Sequence, residues 1–164
     1  MTPIVQTELL QLLKETFEGP APTGPSAFLN KGTGLFQTLD DVSAEVASAQ
    51  PRTEASTVAA HTEHIRFYVA VHYKLMLGAR DTIDWDESWR IKVVTSAVWN
   101  DLRQELRQVY RTVVEHLRGL NKWGEDEISL TLAIVAHTAY HLGAIRQLIL
   151  AVQPPGDVTL TMKS

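Results

Sequence analysis

Two histidines four residues apart, His137 and His141, lie in a long apolar run near the C-terminus, and this run constrains the fold more than any other stretch. Residues at i and i+4 lie on one face of a helix, with Cβ atoms about 6 Å apart. Ile134, His137, His141 and Leu148 follow this spacing and not the period of two of a strand. We therefore predict a helix over residues 125–152, with both imidazoles on one face.

Apolar residues at intervals of three and four predict further long helices over residues 4–18, 57–77 and 96–118. Ser56 is the predicted N-cap of the second of these, and Thr95 or Ser96 that of the third. Residues 79–92 are acidic and irregular in period, which indicates a long crossover loop. Four long helices without credible strands predict an all-α fold, a four-helix bundle.

Composition limits the classes of protein to consider. A chain of 164 residues fits one domain, residues 1–164, which we expect to end in a polar tail at 157–164. The chain has no cysteine, so a metal site must use His, Asp or Glu. A net charge of −4 argues against a nucleic-acid partner. We see neither a signal sequence nor an unbroken apolar span of about 18 residues, so we expect a cytoplasmic protein without a membrane partner. The prevalence of two-fold assemblies favours a homodimer.

The histidine pair needs a third ligand, because two protein ligands rarely hold a catalytic transition metal. His61, His64 and His72 recur on one face of the predicted 57–77 helix, and the spacing does not choose among them. A three-histidine site leaves a coordination position open for substrate or water. Zinc or nickel suits such donors best, and iron or manganese also accepts them. The alternative interpretation is that these are ordinary hydrogen-bonded core histidines.

The segment His137-Thr138-Ala139-Tyr140-His141-Leu142-Gly143-Ala144-Ile145-Arg146 resembles the signature of the DinB-like superfamily, which includes the YfiT-like group and bacterial thiol-dependent transferases. The segment from Ser56 to His64 is similar to the start of that family's second helix. The resemblance implies a four-helix bundle of the DinB/YfiT type that holds a divalent metal with His61, His137 and His141. The resemblance favours His61 over His64 as the third ligand.

Five more residues are candidates for the lining of a pocket beside that site: His64, Tyr68, Trp89, Tyr140 and Arg146. Arg146 can either pair with a core acid or meet an anionic substrate. Gly143, inside a predicted helix, indicates a close helix contact. No catalytic residue is assigned.

We therefore expect a metal-dependent enzyme acting on a small molecule, with thiol-dependent S-transfer or hydrolase-type chemistry. A low-molecular-weight thiol is the expected co-substrate. The alternative is a non-catalytic bundle that binds a small ligand or associates with other proteins.

Overall fold

The structure, a computed structural model, describes residues 3–152. All regular secondary structure in this part of the chain is helical, which confirms the all-α prediction. The predicted tail at 157–164 lies outside the described residues. The elements, in chain order, are α1 (Pro3–Glu18), α2 (Leu35–Asp40), α3 (Ala44–Ser48), α4 (Val58–Met76), a 3₁₀ helix (Trp85–Trp89), α5 (Ser96–Gly119) and α6 (Glu125–Val152).

The four long helices, α1, α4, α5 and α6, begin and end within two residues of their predicted bounds. The predicted cap of α4 was wrong by one residue. Thr57, not Ser56, has the extended backbone of an N-cap, with φ −102° and ψ 164°, and its hydroxyl accepts a hydrogen bond from Ala60 N–H. The same hydroxyl donates to the carbonyl of Lys92 at 2.7 Å, which ties the helix start to the crossover. Thr95 caps α5, as one of the two predicted alternatives.

Helix α4 is central to the packing, since it contacts α5, α6 and the 3₁₀ helix, while α1 packs against α6. One connected hydrophobic core fills the space between these helices. It includes side chains that are fully or almost fully buried: Leu13, Phe17, Ile65, Val69, Leu106, Leu117, Ile134 and Ile145. The contact between α4 and α6 brings the histidines of both helices together.

The segment that connects α1 to α2 is fixed by a buried carboxylate. Glu15 accepts backbone N–H groups from Ala27, Phe28 and Leu29, each at 2.8 Å. Burial alone would raise the pKa of Glu15, but the three backbone N–H groups favour the charged form and lower it below 4.5. The carboxylate therefore accepts backbone N–H groups of this segment that regular secondary structure would otherwise pair.

The crossover between α4 and α5 is more regular than predicted. Residues 85–89 form a 3₁₀ helix instead of a loop, and the carboxylate of Asp84 caps it by accepting the Asp86 N–H. Because this 3₁₀ helix packs against α4, it brings Ser88 and Trp89 to the α4 histidines.

Helix α6 has the length and mean hydropathy, 1.4 over its most apolar window, of a membrane span. A core helix of a soluble protein meets the same criteria, and α6 packs against α1 and α4. The interpretation of Gly143 was wrong: this residue is exposed, and a Cβ added there would meet no atom within 4 Å.

Candidate metal centre

Four histidines meet where α4 packs against α6, and we call them the histidine cluster: His61, His64, His137 and His141. His61 and His64 lie three residues apart on α4, and His137 and His141 lie four apart on α6, so each pair shares one helix face. The rings meet across the interface in two close nitrogen contacts. His61 Nδ1 lies 2.8 Å from His141 Nδ1, and His64 Nε2 lies 3.0 Å from His137 Nε2.

Three members of the cluster could hold one metal ion. His64, His137 and His141 each offer a ring nitrogen, and the three nitrogens lie within 4.8 Å of one another. Ligand nitrogens in a tetrahedral zinc site are roughly 3.3 Å apart, given bonds of about 2.05 Å. The 3.0 Å contact between His64 and His137 is close to that spacing, while other separations in the set, which reach at most 4.8 Å, would have to adjust around an ion.

The predicted ligand His61 also belongs to the cluster, through its contact with His141. It is His64, however, that joins His137 and His141 in the set of mutually close nitrogens. The helical spacing left His64 open as the third ligand, whereas the family resemblance favoured His61 and left His64 as a pocket residue. His61 as the third ligand thus stays a prediction, while the distances favour His64.

The cluster is held in its neutral form. Burial, together with the charge that the neighbouring imidazoles carry when protonated, lowers the pKa of His137 to about 4 and that of His141 to about 3. Burial also lowers the pKa of His61 and of His64. Metal ions bind the neutral imidazole, so at neutral pH these lone pairs are not lost to protons.

Two predicted pocket residues, Trp89 and Tyr68, cover the cluster with aromatic faces. Trp89 stacks on His64, with ring centroids 4.1 Å apart, and meets His61 edge-on. Tyr68 stacks on His137, with centroids 3.5 Å apart and planes 6° apart. These rings limit the access of water and fix the planes of the imidazoles.

The other two predicted pocket residues, Tyr140 and Arg146, lie mostly on the surface. Tyr140 is 73% exposed and touches the cluster only through an edge contact with His141. Arg146 is exposed and makes no ion pair within residues 3–152, so the predicted pairing with a core acid is wrong.

Two more residues lie near the cluster: His72, which the helical spacing left open as a third ligand, and Ser88, which was not predicted as a site residue. His72 donates Nδ1–H to the carbonyl of Tyr68 at 2.9 Å and stacks on the same tyrosine, which therefore lies between two imidazoles. Ser88 is fully buried and lies 2.7 Å from His64 Nδ1. The one sequence signal for Ser88 is its position beside Trp89, and that signal is weak.

One buried ring nitrogen of the histidine cluster makes no hydrogen bond within the described residues, and a bound ligand could change this. His137 Nδ1 is buried and has no hydrogen-bond partner among the described residues. An unpaired buried polar atom costs roughly 1–3 kcal/mol, and a bound water or ion is one explanation for such an atom. The donor set, three neutral imidazoles without a thiolate, fits a borderline transition metal such as zinc or nickel.

Comparison of the chain with protein-family models, with curated proteins and with solved structures finds no match.

Proposed function

We propose that the protein is a metal-dependent enzyme in which His64, His137 and His141 hold one divalent ion. The observation that carries the proposal is the convergence of three neutral ring nitrogens, within 4.8 Å of one another, from two packed helices. Three protein ligands leave a coordination position free, as in catalytic zinc sites. Zinc or nickel is the preferred ion, and iron or manganese is the alternative.

The chemistry we propose is S-transfer from a low-molecular-weight thiol, with hydrolysis second. A bound divalent ion would favour the thiolate form of a thiol, or the hydroxide form of water, near neutral pH. Trp89 and Tyr68 flank the imidazoles and would keep bulk water from the reacting group. The coordination position that three protein ligands leave free would then take a small substrate.

We also propose that the four long helices form a four-helix bundle of the DinB/YfiT type. Two features support this architecture. The ligand pair lies on the last long helix and faces α4, the second long helix. The 3₁₀ helix of the long crossover, which ends at Trp89, covers the same site. Bundles of this kind build metal sites from inward-facing side chains.

Metal analysis tests the proposed site. Tag-free protein, purified without a nickel column, is expected to carry a divalent transition metal close to one ion per chain. His137→Ala removes a ligand and should lose most of that metal. His116→Ala is the matched control, because His116 lies on α5 and contacts Tyr73 instead of the cluster. Equal metal content in wild type and His137→Ala would refute the proposal.

A second candidate function, a non-catalytic bundle that binds a small apolar ligand, is favoured by one specific observation. The four histidines form two nitrogen contacts, of 2.8 and 3.0 Å, that can be hydrogen bonds without any ion. The aromatic faces of Tyr68 and Trp89 would then line a ligand site. This alternative predicts protein that is free of metal and unaffected by chelators.

A further inference from the structure

A buried serine from the crossover determines which nitrogen of His64 faces the cluster. Ser88 Oγ makes two short contacts, one of 2.6 Å to the carbonyl of Trp85 and one of 2.7 Å to His64 Nδ1. Ser88 is fully buried, and His64 is 9% exposed. These two partners therefore account for the hydrogen bonding of the hydroxyl, with little room for solvent.

The position of the single hydroxyl hydrogen follows from the chemistry of the partners. A carbonyl oxygen cannot donate, so the contact with Trp85 requires Ser88 to donate its hydrogen there. The Ser88 oxygen then has only lone pairs left for His64. An imidazole nitrogen can donate, so His64 Nδ1 must carry the hydrogen and give it to Ser88.

The hydrogen on Nδ1 determines the state of the other ring nitrogen of His64, Nε2. Neutral imidazole carries one N–H, so a hydrogen on Nδ1 leaves a lone pair on Nε2. This is the atom that faces His137, at 3.0 Å. The indole of Trp89, stacked on His64 with planes 19° apart, holds the ring in that orientation.

His61, the other histidine of α4 in the cluster, lacks this support. Its Nδ1 contacts His141 Nδ1, and its Nε2 has no hydrogen-bond partner among residues 3–152. The contact uses His141 Nδ1 and leaves Nε2 of His141 uncommitted. Among residues 3–152, the hydrogen bonding of the His61 ring thus depends on His141 alone, whereas the His64 ring also contacts Ser88.

We propose that Ser88 is a positioning residue for the metal: its hydroxyl, fixed by the carbonyl of Trp85, holds His64 as the Nδ1–H tautomer with Nε2 ready to bind an ion. The inference rests on the proposed metal site. Partners of this kind, which bind the second nitrogen of a ligating histidine, commonly affect metal affinity about 10- to 100-fold.

The tautomer of His64 can be tested first on the metal-free wild-type protein. Long-range ¹H–¹⁵N correlation spectra of chelator-treated wild type, at pH 7.5, should show His64 with its hydrogen on Nδ1. In Ser88→Ala the preference for that tautomer should weaken. A wild-type His64 with its hydrogen on Nε2 would overturn the inference.

Zinc affinity provides the second measurement, by competition with a chromophoric chelator. Ser88→Ala should bind Zn²⁺ about 10- to 100-fold more weakly than wild type, and Ser88→Thr, which keeps the hydroxyl, should recover most of the loss. Ser48→Ala is the matched control. Ser48 also bridges to the chain just after the crossover, through the backbone N–H and carbonyl of Val94, but it does not touch the cluster. Its variant should bind zinc close to the wild-type affinity.

The outcomes separate the inference from the proposed function. If wild type and Ser88→Ala bind zinc equally tightly, the positioning role is overturned and the metal site stands. If Ser48→Ala loses as much affinity as Ser88→Ala, the loss comes from loosening of the crossover, and the positioning role is again overturned. If wild type binds no zinc, the proposed metal site fails, and the role of Ser88 toward a metal fails with it.

Discussion

At the scale of single residues, the chemistry of the site is governed by burial. The imidazoles of the histidine cluster lie beneath aromatic rings and beside one another, and both effects disfavour the protonated form. The same desolvation that frees the lone pairs for a metal makes the site costly to protonate. Acid is therefore expected to act on the stability of the fold as well as on metal binding.

We predict that the metal-free protein loses stability as the pH falls from about 6.5 towards 4. The pKa of His137 is lowered from 6.5 to about 4, and that of His141 to about 3. Above pH 6.5 both histidines are neutral in the folded and unfolded states. Below it the unfolded chain binds protons that the folded chain excludes, so the free energy of unfolding falls. Urea unfolding of chelator-treated protein at pH 7.5 and pH 5 measures the effect.

His141→Asn provides the comparison for this pH dependence. Its free energy of unfolding should change less between pH 7.5 and pH 5 than that of wild type. Glu15 does not interfere in this range, because its pKa is lowered from 4.5 and its contribution is lost only at more acidic pH. The same loss of stability in the variant and in wild type would contradict the assignment to the cluster.

At the scale of elements, the long helices follow from periodicity, and the connections depend on close backbone contacts. Gly34 precedes α2 with an ordinary φ of −65°, so its backbone conformation does not demand glycine. Its position does. A Cβ at residue 34 would lie 2.2 Å from the backbone nitrogen of Gly19 and 2.7 Å from the carbonyl carbon of Glu18. The end of α1 and the start of α2 can approach only because no side chain intervenes.

We predict that Gly34→Ala destabilises the protein by roughly 1–3 kcal/mol, because the added methyl group must displace backbone atoms. Gly143→Ala is the matched substitution in the opposite environment. A Cβ there meets nothing within 4 Å, and alanine is the better helix former by about 1 kcal/mol. The variant should therefore be more stable than wild type. Chemical denaturation measures the free energy of unfolding of both variants. A Gly34→Ala variant as stable as wild type would contradict the packing of α1 against α2.

At the scale of the whole molecule, a metal ion in the cluster would link α4 to α6. These two helices are separated in sequence by the crossover and by all of α5. An ion bound by both helices binds only the folded chain, so its binding free energy adds to the stability of the fold. The crossover also takes part, since its 3₁₀ helix contacts α4 and covers the cluster.

We predict that removal of the metal lowers the melting temperature. A free-ion concentration one hundred times Kd adds about 2.7 kcal/mol of stability, which corresponds to about 5–10 °C for a protein of this size. Thermal unfolding with and without a chelator measures the shift, and His137→Ala should show little response. Wild type that melts at the same temperature in both conditions would favour the non-catalytic alternative.

Much of the fold was predictable from sequence because helical periodicity is local. The bounds of α1, α4, α5 and α6 follow from apolar spacing and from the residues that cap or end each helix. The 3₁₀ helix at 85–89 was not predictable, because its acidic sequence has no clear period and its order depends on packing against α4. The role assigned to Gly143 failed for a related reason: the sequence does not say which face of α6 is covered.

The sequence by itself determined an all-α chain, the pairing of His137 with His141 on one helix face, and a second group of histidines on α4. These are consequences of a fixed helical repeat of 3.6 residues. Only the tertiary structure decided which α4 histidine approaches both members of that pair, because His61 and His64 differ by less than one helical turn. The rotation of α4 against α6 and the buried hydroxyl of Ser88 make that choice, and both are contacts between segments far apart in the chain.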